Sequence, residues 1–213
     1  MSLRASASIA ATSACLCIGL AMAASHPSSA QEPPRVQGKV EQKPQTRPHG
    51  APVVVDPATI RIDDGDTVVI KWGENDEETV RILGIDTPET RHEEHSIPYD
   101  QPFGPEGRAF ARGAFSVASD VKLIRAAMLD PYQRTLGYLI LDGKNYSVLV
   151  IKAGLSDETV SFYGDNGLPA LAAEVTAAAK GHPPLAFEPP HVFRKRMRAV
   201  VDAQKSGQGA AEK

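Results

Sequence analysis

The stretch that most constrains this chain is residues 61–90, RIDDGDTVVIKWGENDEETVRILGIDTPET. Two apolar, β-branched runs, 67–70 and 80–85, flank a polar, charged turn at 73–78. That is the pattern of two strands joined as a hairpin. Each run is tied to a short carboxylate motif: Asp64-Gly65-Asp66-Thr67 opens the first, and Asp86-Thr87-Pro88-Glu89-Thr90 closes the second. A hairpin alone does not bring Asp66 near Asp86. Their convergence requires a bend, and Gly84 is the expected place for a bulge or kink. Together the two carboxylates would form a cluster of hard oxygen ligands suited to a divalent cation. Arg81 and Arg134 are the candidates for complementary positive charge. The combination points to metal-assisted phosphodiester chemistry.

At 213 residues the chain has room for one ordinary domain plus tails. Its 23 basic and 26 acidic residues leave a net charge of −3, which excludes a histone-like binder that holds nucleic acid by charge alone. Arg4, a short apolar core at 14–24 and small-residue cleavage sites after Ala23 or Ala30 read as an export signal over 1–30. The expected location is therefore secreted or periplasmic. The apolar run is shorter than the ~20 residues that cross a bilayer, so no stable membrane association is expected. Both cysteines, Cys15 and Cys17, fall inside this segment, so the mature protein is expected to rely on packing, without a disulfide. Residues 31–52 are polar and proline-rich, cannot bury enough surface to offset their ordering entropy, and read as a disordered linker. The folded domain is expected over 53–181.

Within it, residues 53–55, 60–62, 67–71, 79–85, 121–127 and 136–141 read as strands. Residues 91–103 read as a loop rich in His, Glu and Pro. Gly104-Pro105-Glu106 begins a helix, with Pro in the first turn and an acid near the positive end of the dipole; Phe110, Ala114, Val117 and Val121 are its expected buried face. Residues 146–153 fit a strand or a short helix ended by Gly154. A helix over 168–180 would bury Leu168, Leu171, Ala172, Val175 and Ala179 and end at Gly181. Residues 182–213 form a Pro-rich and basic tail outside the globular part, with an amphipathic helix over 192–204. These elements predict an α+β domain built on an antiparallel sheet or barrel.

Each motif alone is ordinary, since Asp-Gly is a common turn and Thr-Pro common punctuation. Other catalytic classes lack their parts: there is no Gly-x-Ser-x-Gly elbow, and His92 and His95 have no evident third zinc ligand. In order, however, DGDT, RILGIDTPET, FGPE and DPYQR resemble the staphylococcal nuclease (thermonuclease) family over roughly residues 60–181, with KAGL at 152–155. The resemblance implies an OB-type five-stranded β-barrel with about three packed helices. It also implies a Ca²⁺ site made by Asp66, Asp86 and the backbone carbonyl of Thr87. Glu89 would activate or orient water, and Arg81 and Arg134 would hold the scissile phosphate. Tyr132 matches a substrate-side aromatic, with Tyr163 or Phe162 as its partner. The chain departs from the pattern in reading DPYQR where Gly commonly precedes the arginine, and in a longer, less basic 91–103 loop. The implied function is a Ca²⁺-dependent nuclease acting as a monomer on DNA and RNA and leaving 3′-phosphate ends. The alternative is a non-catalytic OB-fold nucleic-acid-binding module.

Overall fold

The central hairpin forms as the two apolar runs require. In the computed structural model, which describes residues 42–211, β3 (Thr67–Gly73) pairs antiparallel with β4 (Asp76–Ile82), with Thr67 opposite Arg81 and Val68 opposite Val80. Val68, Ile70, Val80 and Ile82 are buried in the core. The expected export signal, with Cys15 and Cys17, and the expected linker as far as residue 41 lie outside the described residues.

β4 pairs in parallel with β6 (Thr135–Leu141), which runs antiparallel to β5 (Val121–Leu129). β1 (Pro52–Val55) lies on the far side of β5 and β2 (Ile60–Ile62) on the far side of β3, giving the order β1-β5-β6-β4-β3-β2. The two-residue β7 (Lys144–Asn145) pairs with β6. Register shifts between Lys71 and Gly73 and between Arg125 and Leu129 bend the sheet, as bulges do. The result is a curled half-barrel of the OB type with several helices packed on it, an α+β fold. Among the described residues it has seven strands where five were expected, and three of the seven are short, of four, three and two residues.

Gly84 is the turning point expected from the sequence. Its φ is +83°, and a Cβ there would meet Val175 Cγ1 at 3.1 Å and the Tyr138 hydroxyl at 3.3 Å. The turn frees residues 85–90 from the sheet and aims them across its end.

Helix α1 (Gly104–Val117) starts at Gly104-Pro105 as expected, but its face is rotated. Gly104, Gly107, Ala111 and Phe115 are buried, Phe110 and Ala114 pack at the edge of the core, and Val117 is exposed. Several i, i+4 stripes are compatible with this alanine- and glycine-rich sequence, and the sheet selects the one that brings Phe115 against Tyr146, ring centroids 5.1 Å apart. Residues 146–152 resolve as helix α2 (Tyr146–Lys152), because Asn145 caps it by accepting from Ser147 N at 3.1 Å. A short α3 (Val160–Tyr163) precedes α4 (Pro169–Ala179), where Ala172 and Val175 are buried with Leu168, Leu171 and Ala179 packed beside them.

The chain enters the fold before residue 53. Gln45 is buried, its side chain donates to Thr135 Oγ1 at 2.9 Å, and its backbone N–H donates to Ala127 O at 2.9 Å. Leu129 N donates to Lys43 O at 2.9 Å. Past its register shift, the end of β5 presents backbone groups that need partners, and this segment supplies them. The expected linker is thus shorter by residues 42–52. Beside it, the buried Glu78 carboxylate accepts from Arg125 Nε and Nη2, each at 2.7 Å, from Thr135 Oγ1 at 2.6 Å and from Trp72 Nε1 at 2.7 Å.

The tail does not lie outside the globular part either. Helix α5 (Pro190–Ala211) buries Phe193 and Met197 against Ile97 of the 91–103 loop. No helix among the described residues is long and apolar enough to cross a membrane.

Candidate active site

The bend at Gly84 brings the two carboxylate motifs together. The Asp66 carboxylate accepts from the Thr87 backbone N–H at 2.7 Å and from the Thr87 hydroxyl at 3.0 Å. Such close approach requires glycine at position 65, where a Cβ would lie 2.7 Å from Thr87 Oγ1. The buried Tyr146 hydroxyl donates to Gly65 O at 2.8 Å, so α2 supports the loop from beneath. Asp66 O accepts from Ile82 N at 2.8 Å, which ties the same loop to β4.

Arg81 projects from β4 between the two acids. It forms an ion pair with Asp66, and its Nη2 donates to Asp86 Oδ1 at 2.7 Å and to Ile85 O at 3.2 Å. The backbone N–H of Asp86 donates to Ser156 Oγ at 2.9 Å, and that of Glu89 to Gln101 Oε1 at 3.1 Å. Asp66, Arg81, Asp86 and Thr87 therefore meet in one site at the end of the hairpin, and Glu89 is joined to Asp86 there by Arg194, which bonds both.

Two further residues belong to it. Asp64 accepts from Asp66 N at 2.9 Å, and its charge acts on Glu89 and on Arg81. The DGDT motif contains it but, read alone as a turn, marks no role for it. Arg194 of α5 donates from Nη1 to Asp86 Oδ1 at 3.0 Å and to Glu89 Oε1 at 2.5 Å, and from Nη2 to Asp86 Oδ2 at 2.9 Å. Nothing in the sequence marked it, because it opens a basic run of the kind that usually faces water.

Arg134 is placed differently. It directly precedes β6, whose Thr135 lies opposite Val80, so it stands beside the strand that carries Arg81. Its Nε donates to Asp130 Oδ2 at 2.6 Å, and its guanidinium lies over the Tyr132 ring at 5.5 Å. None of its described hydrogen bonds reaches Asp66, Asp86 or Glu89. Tyr132, Phe162 and Tyr163 are all exposed, the last two equally, at 66 %.

The electrostatics separate the acids. Burial pushes the Asp86 carboxyl up, but Arg81 and Arg194 outweigh it and hold it below the usual carboxylate range. Burial raises Glu89 against the pull of Arg194, with Asp64 and Asp86 adding to the rise. Burial also raises Asp64 against Arg81 and the Thr67 hydrogen bonds. Acids pushed in opposite directions within one pocket are suited to different tasks, one as a permanent anion and one as a group that exchanges a proton.

Two carboxylates and the Thr87 carbonyl are a hard-oxygen donor set suited to a divalent cation, and the two guanidiniums drawn onto these carboxylates show how much positive charge the site accepts. Among the described residues no three His, Cys, Asp or Glu side chains are grouped to hold an ion, so a cation here would complete its shell with carbonyl and water oxygens.

A curled OB-type sheet whose end carries a carboxylate–arginine pocket defines the class of protein. Residues 79–182 match the family model described as staphylococcal nuclease homologue. It is similar to the SPbeta prophage-derived endonuclease YokF of Bacillus subtilis (strain 168), with 34% identity over 106 residues, 48% of this chain and 34% of that protein. It is 32% identical to a thermonuclease of Staphylococcus intermedius over 106 residues, 50% of this chain and 60% of that one. It is 36% identical to endonuclease YncB of Bacillus subtilis (strain 168) over 97 residues, 44% of this chain and 43% of that one. The chain thus spans less than two thirds of each of these relatives.

Proposed function

We propose that this protein is an exported endonuclease that hydrolyses phosphodiester bonds of DNA and RNA, uses Ca²⁺, and leaves 3′-phosphate ends. The observation that carries the reading is the meeting of Asp66, Asp86, Glu89 and Arg81 in one pocket, where a non-catalytic binding module has no need for a buried acid beside an arginine. The similarity to proteins named endonuclease and thermonuclease supports it.

A phosphodiester is anionic and repels an incoming hydroxide. Cleavage needs positive charge where negative charge builds up on the non-bridging oxygens, and a water aligned with the leaving oxygen. Asp66, Asp86 and the Thr87 carbonyl would hold the cation, which when bound adds Lewis-acid stabilisation of that charge. Arg81, released from Asp66 and Asp86, would offer a planar fork that matches two phosphate oxygens, which a lysine cannot. Arg134 precedes the neighbouring strand and, released from Asp130, would take the phosphate from its other side. Glu89, with its proton affinity raised by burial, takes the proton of the attacking water or orients that water. Tyr132 and Tyr163 present exposed rings on which bases can stack.

The test is cleavage of end-labelled DNA and RNA by the mature protein in Ca²⁺, Mg²⁺ and EDTA, with the product ends determined. Ca²⁺-dependent cutting to 3′-phosphates is expected. Equal rates in EDTA would refute the cation's role, and binding without cutting in Ca²⁺ would establish the non-catalytic module.

A further inference from the structure

Helix α5 lies beyond the residues that match the family model, yet it reaches into the pocket. Its anchor is small: Phe193 and Met197 are buried against Ile97, with Val200 partly buried alongside. The segment before it is held by Gln101 Nε2, which donates to Glu188 O at 2.6 Å, while Gln101 Oε1 accepts from the Glu89 backbone. Phe187 packs on Phe103 at 5.4 Å. From this platform Arg194 spans two acids at once, with a side chain only 28% exposed.

The oxygens it takes are the ones a cation and its water require. Both oxygens of Asp86 accept from Arg194, and Oδ1 also accepts from Arg81. Glu89 Oε1 accepts from Arg194 as well. Guanidinium N–H groups take three of the roughly four lone-pair directions of the Asp86 carboxylate, and the two positive charges beside it repel a divalent ion from the one that is left. A guanidinium also neutralises Glu89, which must be free to accept a proton.

We propose that Arg194 is a working part of this site: it occupies Asp86 and Glu89 as an internal cation, and a divalent cation must displace it to bind. Helix α5 is then a strap whose docking and the ion's binding exclude each other. Linkage makes this reciprocal, so whatever loosens the strap tightens the ion by the same factor. The inference rests on Asp86 being an ion ligand, as in the function proposed above.

The test is calorimetric titration of Ca²⁺ alone, without nucleic acid, into the wild type, Arg194→Ala and Met197→Ala, with folding checked by circular dichroism. Arg194→Ala should bind Ca²⁺ about 5- to 150-fold more tightly, the ordinary span of coupling between sites. Met197→Ala touches neither acid and acts only through the strap, so it should tighten binding in the same direction by a smaller factor. A merely structural residue at 197 would leave the affinity unchanged or weaken it. Measurable but equal affinities in all three proteins, or weaker binding by Arg194→Ala, would overturn the strap while leaving the calcium reading intact. An unchanged Met197→Ala beside a tighter Arg194→Ala would overturn the role of α5. Absence of Ca²⁺ binding in every protein at millimolar ion would overturn the calcium reading and the competition with it.

Discussion

Replacing Glu78 by leucine tests what holds the hairpin to the rest of the sheet. Glu78 and Arg125 are 5 % and 2 % exposed, and the acid receives four hydrogen bonds, two of them from the guanidinium. Leucine fills a similar volume, so little cavity is created and the cost falls on stranded partners. Removing one member of a buried pair costs ~3–5 kcal/mol, because the remaining charge stays buried. Arg125 would retain Pro48 O at 3.1 Å and the Trp72 ring at 5.3 Å, which favours the lower end of that range. Trp72 Nε1 and Thr135 Oγ1 each lose a partner, which moves the cost back up. At about 2–4 °C per kcal/mol for a chain of this length, the melting temperature should fall by roughly 6–20 °C. Trp72 is the only tryptophan and belongs to the network, so its fluorescence in a urea titration reports the transition directly. The acid side gives a second check. Burial raises the Glu78 carboxyl, but Arg125, Thr135 and Trp72 hold it below its ordinary value of 4.5. Its contribution is therefore complete above pH 4.5 and lost as pH falls through the lower folded value. Glu78→Leu should lack this part of the acid destabilisation. A loss below ~1 kcal/mol at neutral pH, within the range of an exposed pair, would refute the view that this network is a buried charge pair.

Glu89→Gln keeps the size and removes the charge, and it should lower kcat by ~10²–10⁴ with little change in substrate affinity; a wild-type rate would remove Glu89 from the chemistry. Asp66→Asn is the better probe of the cation ligand than alanine, because an amide oxygen can still accept from Thr87 while the ligand charge is lost. Ca²⁺-dependent activity should vanish in a protein that still folds but melts below the wild type, because Arg81 loses its charge partner at Asp66, and retained activity would exclude Asp66 as a ligand. Arg134→Lys keeps the charge and loses the fork, so turnover should drop, by ~3–4 kcal/mol of barrier at most by analogy with a lost oxyanion donor. Unchanged kinetics would leave Arg134 with Asp130 alone. Gly65→Ala should impair both folding and the site by driving a methyl into Thr87; a normal melt and normal Ca²⁺ affinity would contradict the close approach.

The sequence alone pointed to the hairpin, the bend at Gly84, the α+β class and the pairing of Asp66, Asp86 and Arg81, while Thr87 and Glu89 entered through the family resemblance and Arg134 stays with Asp130. These are local matters: two apolar, β-branched runs around a polar turn, a glycine at the bend, and carboxylates tied to strand ends by a few peptide units. It also carried Asp64, within a motif that reads as a turn until its neighbours are in place. What only the tertiary structure decided depends on contacts between distant segments. The buried stripe of α1 follows the sheet beneath it, so Phe115 goes inside and Val117 does not. Residues 42–52 are polar and read as a linker, yet the end of β5 needs backbone partners and draws Gln45 into the fold. Residues 146–153 carry both strand and helix signals, and the Asn145 cap together with the burial of Tyr146 selects the helix. Arg194 is the clearest case. A basic residue 108 positions from Asp86 has no local signal for burial, because its stabilisation comes from two acids that only the completed fold brings together.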